Sequence, residues 1–402
     1  MALPQDGISR SEIFERFDSM AANDVRWRDG RVFSLAYSAG PDVLALAEDA
    51  YRRFSGENAL NVDAFPSLRT MQDDVVAIVS GWLGGTDTAG FMTSGGTESL
   101  LLAVKAARDR GRAERGVSQP NIVLPASAHA AFEKGCAYFD VASRRVPVRD
   151  DWRADVAAMA DAVDDQTVLV VASTPQYPQG VIDDVDGVAA IAAAHGINCH
   201  VDACMGGVIL PYLDGVAPWN FDVDGVTSIS VDLHKYGYTA KGAGVLVHRT
   251  KRLRSYQTFV TDNWLGGLYG SSGILGTKSG GSIAAAWAVL QYLGDDGYRR
   301  LAGVARRTCL RLAEAIAQVP SLRLLAPPDT TLVAFTADDS PAVAARLRER
   351  GWLVDQQGPP PSLHCMVNAV HETTIEAFIA DLRECATATG PSGGPTAYAT
   401  VD

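Results

Sequence analysis

Two kinds of segment alternate along this chain. Short stretches dominated by apolar and β-branched residues occupy Gly90–Met92, Ile122–Leu124, Thr167–Ala172, Asn198–Val201, Ser228–Asp232 and Gly244–His248. Between them lie longer stretches, Glu98–Arg110, Ala130–Phe139, Val185–His195 and Ser282–Leu293, in which apolar positions return every three or four residues. The short stretches suit strands covered on both faces, and the longer period suits helices with one buried stripe. Their alternation predicts an α/β chain with a mainly parallel sheet flanked by helices.

The last third changes character. A helix over Ala302–Ala317, a strand over Thr331–Phe335, a helix over Pro341–Arg350, the segment Met366–Asn368 and a closing helix predict a smaller α+β unit. The expected organisation is an N-terminal arm over 1–50, a large domain over 51–300 and a small C-terminal domain over 301–388. A tail over 389–402, rich in Gly, Pro, Ser and Thr, is expected to be disordered. No internal repeat is visible.

Composition narrows the partners. A length of 402 residues accommodates a large domain and a smaller one. The net charge of -12 argues against nucleic-acid binding through a general basic surface. No apolar run reaches the roughly 18 to 20 residues a bilayer-spanning helix needs. The first residues lack a basic segment followed by an apolar one. The expectation is a cytoplasmic enzyme without a transmembrane anchor. Cysteines at 136, 199, 204, 309, 365 and 385 show no paired spacing, as expected of free thiols in a reducing compartment. Cys199, His200, Asp202 and Cys204 crowd metal-capable groups together, but strand alternation sends them to opposite faces and no metal site is expected.

The candidate chemistry sits at strand ends. Ser230-Val231-Asp232-Leu233-His234-Lys235-Tyr236 delivers a lysine just past a strand, and His200-Val201-Asp202-Ala203 delivers a carboxylate at the end of another. An amine able to form an imine with an aldehyde, and a carboxylate that favours a protonated pyridine, are the pair that holds pyridoxal 5'-phosphate. Phe91-Met92-Thr93-Ser94-Gly95-Gly96-Thr97-Glu98 reads as strand, glycine turn and helix start. Gly95 and Gly96 let backbone approach an anion, and Thr97 adds a hydroxyl beside free helix N–H groups. The same residues would also serve as an ordinary helix cap. His129 follows the Ile122–Leu124 strand and suits either a packed core or a flat position on a cofactor ring.

These four segments, in this order, resemble those of the sphingosine-1-phosphate lyase family, in the group II decarboxylase-like branch of fold-type I pyridoxal phosphate enzymes. The likeness includes Phe65-Pro66-Ser67-Leu68-Arg69, Ser173-Thr174-Pro175-Gln176-Tyr177-Pro178, Thr261-Asp262-Asn263-Trp264-Leu265-Gly266-Gly267 and Pro360-Pro361-Ser362-Leu363-His364. It runs from about residue 30 to about residue 385. The resemblance implies an aspartate aminotransferase-like fold in which Lys235 carries the cofactor and Asp202 pairs with its pyridine nitrogen. It further implies His129 stacked on the ring and Gly96, Thr97 and His234 around the phosphate. A homodimer with shared sites is implied as well, the turn Gly276–Gly281 with Gly280 reaching the neighbour's phosphate. Lys278-Ser279 stands there where family members carry Arg-Pro.

On the substrate side, the resemblance implies that Tyr37 and Lys241 contact a substrate phosphate and that Tyr177 lies near the reacting carbon. Asn61 replaces the family's phosphate-binding histidine. Asparagine can donate a hydrogen bond but carries no charge. Either the phosphate is held less strongly or the substrate carries another polar group. The implied reaction is a retro-aldol cleavage of a 2-amino-3-hydroxy compound, most simply a phosphorylated sphingoid base, with Lys235 or Tyr177 as base. Two other readings stay open: a decarboxylase or aldolase for a small amino acid, and a cofactor-binding protein without turnover. Retention of Lys235, Asp202 and His129 together weighs against the second.

Overall fold

The computed structural model describes residue 3 and residues 5–390; the expected disordered tail lies, from residue 391 on, outside the described residues. At its centre is a seven-stranded sheet. Its strands are β1 (Ala89–Thr93), β2 (Asn121–Pro125), β3 (Ala142–Val146), β4 (Thr167–Ser173), β5 (Asn198–Asp202), β6 (Ser228–Asp232) and β7 (Gly244–His248). Their order is β1-β7-β6-β5-β4-β2-β3. Strands β3, β2, β4, β5 and β6 pair in parallel, and β7 is antiparallel to both β6 and β1. Every strand but β7 therefore ends at the same edge of the sheet.

Strands β2 and β4 are buried along their whole length because helices cover both faces. Along β4, Val170 and Ala172 enter one core with Val123, Val201 and Val245, while Leu169 and Val171 enter another with Ile122, Leu124 and Phe132. Each Val, Leu, Ile or Phe among them contributes roughly 1.5–3 kcal/mol on full burial. Strand β6 mixes Ser228 and Ser230 with Ile229 and Val231 for a local reason. Both serines meet the ring of His200 on β5, at 2.9 Å (Nδ1) and 3.1 Å (Nε2). Burial lowers the His200 pKa to about 4, so the imidazole is neutral.

A second, four-stranded antiparallel sheet is built from Leu322–Leu324, Leu332–Ala337, Ser362–Met366 and Asp355–Gln357, in that order. Phe335, Trp352, Phe378 and Leu382 form its core, and Phe33 joins them from the far end of the chain. Val32 bridges Leu353 in parallel, Phe33 N–H donates to Leu353 O at 2.9 Å, and the Phe33 ring stacks 4.2 Å from His371. Part of the segment expected as an arm is thus built into the C-terminal layer, through contacts that local sequence cannot announce.

Two elements differ from expectation. Strand β3 is an added edge strand whose exposed Arg144 suits an open edge, while Arg145 turns back to donate to Pro125 O, Ala126 O and Ala128 O. Ser282–Leu293 and Ala302–Ala317, expected as separate helices, are parted by a kink at Gly294 (φ 56, ψ -174) within Gly281–Ala317, and the second helix begins directly after it rather than at Ala302. Among the described residues no helix is long and apolar enough to cross a membrane.

Candidate active site

Because β1, β2, β4, β5 and β6 end at one edge, the loops that follow them converge. They enclose a cavity of about 270 Å³ whose lining includes Gly96, Thr97, His129, Tyr177, Asp202 and Lys235. This is the crevice beyond the carboxyl ends of strands where α/β sheets collect ligands.

Lys235 lies three residues past β6, with its Nζ 3.0 Å from Asp232 Oδ2. Burial opposes its charge, but Asp232, with Asp202 beyond it, more than offsets this and holds the ammonium above the usual lysine range. Asp202 closes β5 and is buried. Its Oδ1 accepts from Cys204 N–H at 3.1 Å and from Ser230 Oγ at 3.4 Å. Ser230 also meets His200 Nε2, so a buried polar chain fixes the carboxylate from behind.

His129 Nδ1 accepts from Ala131 N–H at 3.1 Å, which leaves the ring proton on Nε2. Burial keeps its pKa below the ordinary histidine value although Asp202 pulls the other way, so the ring is a neutral plane. Burial likewise lowers His234, against the influence of Asp232.

The turn before the helix Gly96–Arg115 has to be bare. Gly95 adopts φ +140, and a Cβ there would lie 2.6 Å from His234 Cε1; one on Gly96 would lie 2.8 Å from Asp232 Oδ2. Buried Glu98 secures the turn, accepting from Ser94 N–H at 2.6 Å and from Ile274 N–H at 2.7 Å.

These residues fit pyridoxal 5'-phosphate. A backbone cradle at a helix N-terminus suits the phosphate. Buried His234 Nδ1, Asp232 Oδ1 and Ser173 Oγ, all on residues lining the cavity, have no hydrogen-bond partner among the described residues. Lysine and aspartate arrive from adjacent strands, as the cofactor's two ends require.

Not every expected site residue meets in this cavity. Tyr37, Asn61, Lys241 and Gly280 do not line it. Tyr37 is one side chain away: its hydroxyl contacts Met205 Sδ at 3.6 Å and the sulfur of Met366, and Met205 does line the cavity. Lys241 Nζ donates to Leu35 O at 2.8 Å and borders a neighbouring cavity of about 240 Å³ with Thr277, Lys278 and Ser94. Ser94 lines both cavities. Asn61 is exposed, its Oδ1 accepting from Asp63 N–H at 3.1 Å. Gly280 is buried against Leu68, with its N–H donating to Glu57 O at 2.8 Å.

Asp232 and Asp355 escaped the reading of the sequence. Asp232 could have been found, since a carboxylate three residues before a strand-end lysine falls on the same turn. Asp355 could not: it reaches Tyr177 from the second sheet, accepting from the phenol at 2.6 Å. His364 and His371 are packed and neutral, burial lowering each to about 4. The six cysteines are free and buried, and no metal-binding cluster occurs among the described residues.

A strand-end lysine, a carboxylate on the adjacent strand and a bare glycine turn, set on this sheet, define a pyridoxal phosphate enzyme of fold type I. Residues 1–338 match the pyridoxal-dependent decarboxylase conserved domain. Sphingosine-1-phosphate lyase 1 of Rattus norvegicus is 37% identical over 395 residues, 96% of this chain and 69% of that protein. A probable L-tyrosine/L-aspartate decarboxylase of Methanothrix thermoacetophila is 30% identical over 95% of this chain and 97% of its own length. The solved structure of a Burkholderia pseudomallei sphingosine-1-phosphate lyase matches with a TM-score of 0.92 at 36% identity, covering 96% of this chain and 92% of that one. The chain belongs to the pyridoxal-dependent decarboxylase family, in its sphingosine-1-phosphate lyase branch, and is a pyridoxal 5'-phosphate-dependent lyase.

Proposed function

We propose that this enzyme cleaves a phosphorylated sphingoid base between its amine-bearing and hydroxyl-bearing carbons, releasing an aldehyde and phosphoethanolamine. The observation that carries this reading is the 36% identity and TM-score of 0.92 to a sphingosine-1-phosphate lyase across 96% of the chain. The bound cofactor supplies an electron sink for the pair left when the carbon–carbon bond breaks. Lys235 would hold the cofactor, and Asp232, 3.0 Å from its Nζ, is the counter-ion of its ammonium. Asp202, braced by Ser230 and Cys204, keeps the pyridine nitrogen protonated. His129 would lie on the ring face, and Gly96, Thr97 and His234 would hold the cofactor phosphate. Tyr177 takes the proton of the substrate hydroxyl.

For the substrate phosphate, Lys241, Tyr37 and Asn61 are the proposed contacts, through the second cavity. Support comes from the proximity of that cavity's two lysines to the first cavity across Ser94. Gly280 and its turn serve a neighbouring subunit's phosphate in the proposed homodimer. Exposed Phe14, Phe17, Met20, Trp264, Leu265 and Leu268 support self-association. Six buried free thiols support a cytoplasmic setting.

The second reading, amino-acid decarboxylation, draws on the 30% identity to the Methanothrix protein and on Asn61 in place of histidine. The deciding experiment mixes cofactor-loaded protein with a phosphorylated sphingoid base and follows both products by mass spectrometry. Aldehyde and phosphoethanolamine in equal amounts are expected. Carbon dioxide from an amino acid, with no aldehyde from the sphingoid base, would transfer the assignment to the second reading.

A further inference from the structure

We propose that Asp355 is a positioning residue: it commits the single proton of Tyr177, so that the phenol presents an acceptor to the cavity and selects substrates bearing a hydroxyl beside the amine-bearing carbon. This deepens the reading above and rests on it. Tyr177 follows β4 and lines the cavity that holds Lys235 and Asp202, whereas Asp355 is set back on an edge strand of the second sheet. The Tyr177 hydroxyl donates to Asp355 Oδ2 at 2.6 Å, the short distance of a charge-assisted hydrogen bond. A phenol has one proton. With that proton directed at a carboxylate, its oxygen offers lone pairs to whatever occupies the cavity.

The loop carrying Tyr177 is gripped by the same sheet. Gln357 Nε2 donates to Pro178 O, and His364 Nδ1 meets that oxygen at 3.3 Å. His364 stands opposite Asp355 across the strand pair, and its ring lies 4.2 Å from that of Tyr177 at an interplanar angle of 34°. Burial keeps this imidazole neutral. Three side chains of one sheet thus set the loop's position, the ring's plane and the direction of its hydroxyl.

In the cleavage step the substrate O–H bond breaks as its proton passes to Tyr177 Oη. The phenol's own proton passes to Asp355 Oδ2. The electron pair left on the substrate oxygen becomes the second bond of the aldehyde carbonyl. The proton held at Asp355 returns to the amine product, so the protein ends each cycle as it began. A ligand without the hydroxyl leaves the Tyr177 oxygen facing an apolar carbon, which is worth about ten- to hundredfold in affinity.

The test compares wild type, Asp355→Asn, Asp355→Glu, Tyr177→Phe and the Asp355→Asn/Tyr177→Phe double variant, all loaded with cofactor. Calorimetry measures binding of two phosphorylated long-chain probes that lack the amine and so cannot react, one with the hydroxyl and one without. Wild type is expected to prefer the hydroxyl-bearing probe by at least about tenfold, and Asp355→Asn and Tyr177→Phe to lose that preference with unchanged cofactor absorbance. In turnover, Asp355→Asn should lower kcat by about a hundredfold and raise KM in step with the lost hydroxyl affinity. The double variant should be no slower than Tyr177→Phe, and Asp355→Glu should recover part of the rate.

A preference retained in Asp355→Asn, losses that multiply in the double variant, or loss of cofactor from both Asp355 variants would overturn the proposal. Wild type that prefers the hydroxyl probe yet cleaves no sphingoid base would overturn the substrate reading while upholding the role of Asp355.

Discussion

Lys241 shows how much of the chemistry rests on the surroundings of one atom. The residue is exposed, yet its ammonium donates to Leu35 O and His234 O and lies 5.2 Å over the Tyr37 ring. Burial of that group, and then the charge of Lys235, lower its pKa to about 8. Below about pH 8 the amine is charged and can pair with a phosphate dianion; above it the charge is lost. KM for a phosphorylated substrate should therefore rise as pH passes upward through about 8, and the rise should vanish in Lys241→Met. Steady-state kinetics across that range checks this, and a flat KM in wild type would remove Lys241 from the phosphate contacts. At this scale Lys235, Asp202 and His129 could be proposed from sequence because each closes or follows an apolar stretch whose neighbours suggest the chemistry, and the structure brings all three to one cavity. Asp355 was not, because its partner lies 178 positions away in sequence.

At the scale of elements, the parallel strands were readable because burial on both faces leaves continuous apolar stretches. Edges are harder: β3 has one flank open, so its exposed and half-buried residues carry no strand signature. The first of the two expected helices, ending at Leu293, does stop there, at the break on Gly294. Its φ of 56 and ψ of -174 belong to a region that is essentially glycine-only, and a Cβ there would meet nothing within 4 Å. The cost of Gly294→Ala is thus backbone strain alone, roughly 1–3 kcal/mol. A lower Tm with unchanged cofactor absorbance is expected in thermal unfolding. A higher Tm would mean that the helix runs through and that the break is dispensable.

On the whole molecule, exposed apolar side chains gather on the helix Arg10–Ala21, which buries none of its own residues, and on residues 259–275. If the proposed homodimer covers the second patch, Leu265→Glu together with Trp264→Glu should shift sedimentation toward monomer. Turnover per subunit should then fall on dilution. A double variant that sediments and turns over like wild type would exclude this face from the interface.

Local sequence was enough for the class of fold and for proposing the cofactor's anchors, because strand burial and strand-end motifs are properties of neighbouring residues. The reach of Asp355 to Tyr177, the insertion of Phe33 into the C-terminal core and the separation of Lys241 from the main cavity were decided by tertiary structure. Each depends on how distant strands are brought side by side. Packing of whole sheets sets that, and no local pattern encodes it.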